Sequence, residues 1–219
     1  MGHNIQTTPK ENTKPATLNI QLDIGDFLIP IVYPDYLVHI PKANQEILGI
    51  KILDDREAFG HAGVLIINGK TGVSKYYEYG RYDALDRGIV RKPNISNAVV
   101  KNGRVTESSL TKILKELSDN SGQHGRIEAV VFIGDYYSQA EQWLTDPNGP
   151  YRAPDRESYN VRNFNCIQFV LDLLESLSID THWPGLISMP DEEMEELQED
   201  YRDLRYNPET NKIYVEEIR

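Results

Sequence analysis

A chain of 219 residues with a net charge of −11 is long enough for one sizeable core. Its acidity argues against recognition of nucleic acid or anionic membrane through a broad basic face. No apolar run approaches the roughly 18–20 residues that cross a bilayer, and the single cysteine, Cys166, excludes both an internal disulfide and a multi-cysteine zinc site.

Residues 1–17 are polar, aperiodic and rich in Thr, Asn, Lys and Pro, which reads as a disordered arm. "DFLIPIVYPDYLVHIP" (26–41) is rich in strand formers but broken by prolines, so short strands and a surface loop are expected there rather than a central strand. "EILGIKILD" is another short extended piece. "HAGVLII" and "GVSKYYEYG" then form a hairpin around a turn at Asn68-Gly69. Leu110, Ile113, Leu114 and Leu117 recur with the period of an amphipathic helix. "RIEAVVFIG" (126–134) reads as a buried strand, "DYYSQAEQWL" as a short helix, and 145–161 as an irregular loop rich in Pro, Gly and Asp. From Cys166 onward, Ile167, Val170, Leu171, Leu174 and Leu177 form one helical stripe, with Asn163 or Asn165 as its cap. The acid-rich segment from Pro190 reads as a solvated helix or interaction tail. Helix and strand signals interleave without a regular βαβ period, which indicates an α+β fold with an antiparallel sheet. The expected organisation is an arm at 1–17, one domain over 18–189, and an acidic extension over 190–219 packed on or tethered to it.

Two familiar motifs fail on spacing. "GVLIINGKT" has one residue too many between its first glycine and Gly-Lys-Thr for a phosphate loop, and the residues between are strand formers. The histidines, His3, His39, His61, His124 and His182, are scattered without metal-ligand spacing, so no metal and no cofactor are expected.

Cys166 opens a helix, where unpaired N–H groups and the helix dipole favour the thiolate. A thiolate nucleophile needs an imidazole base, and the base needs a third group to orient it. His61 is the best placed histidine: it lies at the mouth of the hairpin, behind Gly60, which leaves room for a substrate or another backbone. The hairpin supplies the third group if its register allows. A loop of Asn68 to Thr71 sets His61 opposite Glu78, and a loop of Asn68-Gly69 alone leaves Glu78 as a diagonal neighbour on the same face. An odd loop running through Gly72 turns Glu78 away.

The order "GHAGVLI", "YYEYG", "NFNCIQFVLDLL" resembles the circularly permuted papain-like cysteine hydrolases related to the NlpC-type cell-wall peptidases. Within these it is similar to the cell-wall amidase effectors that type VI secretion systems deliver into rival bacteria. The resemblance implies a papain-like fold in which a central antiparallel sheet packs against the Cys-bearing helix. It implies a Cys166 thiolate, a His61 base and a Glu78 orienter, with Tyr79 or Asp83 as substitutes for Glu78 because relatives commonly carry His, Asn or Gln there. The oxyanion would be held by the Cys166 backbone N–H with the amide of Asn165 or Gln168. Gly60 and Tyr79 complete the substrate-binding candidates. The implied substrate is the peptide stem of peptidoglycan, and the implied partners are a cognate immunity protein and a secretion-apparatus carrier protein. The implied route is synthesis in the cytoplasm without a signal peptide, then action in the periplasm of a target cell. Two rival readings are a permuted acyltransferase, lipase or protein-directed hydrolase using the same site, and a binding protein in which His61 and Cys166 never meet.

Overall fold

The structure, a computed structural model, describes residues 25–39, 46–47, 50–51, 56–82, 87–160, 164–181 and 189–216. The expected arm, Asp83 and Asn163 lie outside the described residues. In chain order the strands of the first half are β1 (Asp26–Tyr33), β2 (Leu37–His39), β3 (Glu46–Ile47), β4 (Ile50–Lys51), β5 (Arg56–Ala58), β6 (His61–Ile67), β7 (Ser74–Gly80), β8 (Ile89–Arg91), β9 (Val100–Lys101) and β10 (Arg104–Val105). There follow α1 (Glu107–Asn120), β11 (Ile127–Val130), β12 (Phe132–Gly134), α2 (Tyr137–Thr145), α3 (Cys166–Ser176), α4 (Pro190–Asp200), β13 (Asp203–Asn207) and β14 (Lys212–Glu216).

An eight-stranded sheet runs in the order β14-β13-β11-β1-β6-β7-β8, with β12 also on β1. All of its pairings are antiparallel. The alternation of β6 divides the core between two faces. Ala62, Val64 and Ile66 pack with α2, α3 and α4 on one face. Leu65 and Ile67 pack with Leu110, Ile113, Leu114 and Leu117 of α1 on the other. With helices on both faces, β1 and β6 have no solvent side, and β6 is buried along its whole length.

The proline-punctuated segment corrects one expectation, because β1 is a central strand carrying Pro30 in its middle. The ladder accommodates the missing donor locally. Its partner is split into β11 and β12 at Val131, whose amide donates instead to the Arg202 carbonyl at 3.1 Å. The strand ends at Tyr33, before Pro34. The acid-rich segment is built into the same structure. Met194 and Leu197 of α4 are buried in the core, and β13 pairs with β11.

Helix α3 sets the position of the cysteine. It buries Ile167, Phe169, Val170, Leu171, Leu173 and Leu174, each contributing roughly 1.5–3 kcal/mol when fully buried. The Asn165 cap, whose side chain accepts from the Gln168 amide at 3.0 Å, adds only about 1 kcal/mol. The apolar stripe therefore anchors the helix, and the cap fixes where it starts.

Candidate active site

Strand β6 pairs with β7 so that Ile67 faces Ser74 and Gly63 faces Glu78. The turn is thus the six residues from Asn68 to Val73, longer than either even loop considered from the sequence. Its parity is still even. Glu78 is the diagonal neighbour of His61 on the same face, and Nε2 of His61 lies 3.3 Å from Oε2 of Glu78. His61 is 6% exposed and Glu78 is fully buried.

Three aromatic rings fix the imidazole. Tyr33 stacks on it at 6.2 Å, Tyr36 tilts against it at 5.0 Å, and Tyr82 meets it edge-on at 6.4 Å. The Tyr82 hydroxyl lies 3.1 Å from Nε2. With Nε2 engaged by Glu78 and Tyr82, Nδ1 is the nitrogen left to face the thiol.

Cys166 occupies the first position of α3, and its side chain contacts His61, the backbone amide of Ala62 and the Tyr159 hydroxyl. Burial pushes the thiol pKa up, but the His61 hydrogen bond and charge, with the Ala62 and Tyr159 donors, outweigh it and lower the pKa. Burial likewise disfavours imidazolium. Hydrogen bonds and charge from Cys166 and Glu78 reverse this and raise His61 to about 9. Burial also opposes ionisation of Glu78, and His61 and Arg91 overcome it to hold the carboxyl at about 2. Both shifts work toward a thiolate beside an imidazolium, the charge distribution that a cysteine nucleophile requires.

The remaining expected residues have other uses. Asn165 spends its side-chain oxygen on capping α3. The Gln168 amide donates to Asp172, which also accepts from the Tyr151 hydroxyl at 2.6 Å. Tyr79 is not at a substrate surface. It is fully buried among Tyr151, Tyr159, Phe164 and Phe169, and its hydroxyl donates to the Arg87 carbonyl at 2.8 Å. It alternates with Glu78 along β7 and so points to the opposite face. Gly60 is needed for its φ of +73°, and the groups near it are Pro190 and the Tyr33 carbonyl.

Three contributors escape a reading of the sequence. Arg91 follows from the pairing of β7 with β8, which sets it directly opposite Glu78. Tyr82 follows from the chain leaving β7 beside the imidazole. Tyr159 lies in the segment read as an irregular loop, and only its position shortly before Cys166 hints at a role.

Among the described residues no helix is long and apolar enough to cross a membrane. No curated protein matches the chain. The crystal structure of a type VI secretion system effector, TseH, superposes with a TM-score of 0.75 at 40% identity, covering 89% of this chain and 100% of that one. The family model for TseH-like type VI secretion system effectors matches residues 28–182. The chain belongs to the TseH-like family of type VI secretion system effectors.

Proposed function

We propose that this effector is a cysteine hydrolase of the permuted papain-like type that cuts the peptide stem of peptidoglycan. The observation that carries the reading is one imidazole held between a buried carboxylate at 3.3 Å and the thiol that opens α3. In this scheme the Cys166 thiolate attacks the scissile carbonyl carbon, forming a C–S bond. The oxyanion is received by the Cys166 backbone N–H, which as the first helical amide has no acceptor within its own helix, and by the Tyr159 hydroxyl. The His61 imidazolium gives its proton to the leaving amine as the C–N bond breaks. Neutral His61 then takes a proton from water, the hydroxide displaces the thiolate from the thioester, and the carboxylic product departs. Glu78 keeps Nε2 as the donor and stabilises the imidazolium between steps.

Membership of an effector family supports a target in a rival cell, with delivery on a carrier protein, action in the periplasm and a cognate immunity protein in the producer. The half-buried phenols that feel the charge of Cys166 include Tyr36, Tyr82 and Tyr159. Such a rim of phenols suits a polar peptide better than a lipid acyl chain. Digestion of purified sacculi followed by mass spectrometry of the muropeptides tests the proposal. New stem fragments are expected with the native enzyme and none with Cys166→Ala. Unchanged muropeptides from a folded, thiol-reactive enzyme would refute the substrate.

A further inference from the structure

We propose that Arg91 is a positioning residue of this site: it takes up one oxygen of Glu78, neutralises the carboxylate, and thereby aims the other oxygen at His61. The inference rests on the hydrolase reading above and deepens it. Glu78 is fully buried, and a buried carboxylate without partners for both oxygens keeps its proton or pulls its neighbours out of place. His61 satisfies only Oε2. Arg91, directly across the β7–β8 ladder, brings Nε to 3.0 Å from Oε1 and sets Nη2 on the same oxygen.

The guanidinium is itself held. Its central carbon lies 3.5 Å from the centroid of the Tyr82 ring, a stacked arrangement that fixes the guanidinium plane. The hydroxyl of the same tyrosine reaches Nε2 of His61 at 3.1 Å. Tyr82 thus ties together the two groups between which Glu78 sits.

The charges explain why a cation is needed. A thiolate, an imidazolium, Glu78 and Arg91 together are neutral, and removal of Arg91 leaves a buried site with excess negative charge. The groups facing Glu78 are His61 on β6, Arg91 on β8, Tyr76 on β7, Tyr82 beyond it, Tyr33 on β1 and Tyr36 after it. Burial holds the four phenols neutral at working pH, so none of them replaces the guanidinium. Without Arg91 the Glu78 carboxyl would hold its proton to higher pH, and in that form it stabilises the imidazolium, and through it the Cys166 thiolate, less well. Arg91 is 42% exposed, so it can be replaced without opening the core.

The test is the pH dependence of iodoacetamide alkylation at Cys166, read by mass spectrometry on the full chain, with circular dichroism to verify folding. In Arg91→Gln the acid limb is expected to move up by on the order of one pH unit, whereas Arg91→Lys, which retains the charge, stays near the native limb. In a Glu78→Gln background, Arg91→Gln should add no further displacement. A Gln limb superimposed on the native one would overturn the proposal, as would a displacement that persists without Glu78. If Arg91→Gln does not fold, Arg91→Lys decides, and a limb displaced by a full unit despite the retained charge would overturn it. Native Cys166 that alkylates only in the free-thiol range would instead defeat the hydrolase reading itself.

Discussion

The two ends of the β6–β7 hairpin use polar groups in opposite ways. At the turn, Oδ1 of Asn68 accepts from the Lys70 amide at 3.1 Å and from the Thr71 amide and hydroxyl at 2.9 Å. Oδ1 of Asp26 accepts from the Gly69 amide at 2.9 Å. Side chains there mainly satisfy backbone, close to solvent, and nothing reactive remains. At the open end His61, Glu78, Arg91 and Tyr82 satisfy one another around a fully buried carboxylate, with Arg91 reaching in from the solvent edge. Low local polarity strengthens each of those contacts and makes each unpaired group costly. One pair of strands thus ends once in a turn that holds backbone and once in a cluster of polar side chains that hold one another.

The contrast is broken most severely at the open end. Cys166→Ala or His61→Ala is expected to lower stem-peptide hydrolysis by roughly 10³-fold or more, measured by muropeptide release. In thermal melts Cys166→Ala should move the melting temperature little, whereas His61→Ala should lower it because buried Glu78 loses the partner of Oε2. Glu78→Gln keeps the shape but not the charge, and kcat should fall by roughly 10²–10⁴-fold with KM nearly constant.

The pH profile sharpens the contrast next. Activity needs thiolate and imidazolium together, so kcat/KM should follow a bell whose alkaline limb lies where His61 loses its proton, at about 9. The stability signs follow from the same groups. Glu78, lowered from 4.5 to about 2, contributes stability above 4.5 that is lost as pH falls toward 2. His61, raised from 6.5 to about 9, contributes stability below 6.5 that is lost as pH rises through 9. Melts of the native chain and Glu78→Gln across pH should therefore converge in acid.

The smallest effects belong to the turn. Asn68→Ala should cost about 1–2 kcal/mol of stability and leave specific activity unchanged, as read from denaturant unfolding alongside hydrolysis. Gly72→Ala should cost more, because φ there is +76° and an added Cβ would lie 2.1 Å from the Ala98 carbonyl oxygen.

What the sequence disclosed followed from local periodicity. The stripe from Ile167 to Leu174 and the asparagine before Cys166 were enough to start α3 where it starts, and β-rich runs around Asn68-Gly69 were enough to foresee the hairpin. Its register was not legible, because the turn length is set by distant residues. Asp26 holds Gly69, the Ala98 amide donates to the Gly72 carbonyl at 2.9 Å, and Asn97 accepts from the Ser74 amide at 3.0 Å. Arg91 was hidden for a similar reason. It lies on a three-residue edge strand whose partner becomes known only once β7 is placed. Pro30 misled because proline disfavours a central strand, and only the three-dimensional ladder shows the break at Val131 that tolerates it.

In the proposed mechanism the open end of the hairpin activates Cys166 through His61. The most direct measurement is the rate of Cys166 alkylation by iodoacetamide against pH, in the native chain and in His61→Ala. Rapid alkylation of the native chain is expected well below the free-thiol pKa of about 8.5, with loss of that low-pH reactivity in His61→Ala. Identical profiles for the two proteins would contradict it.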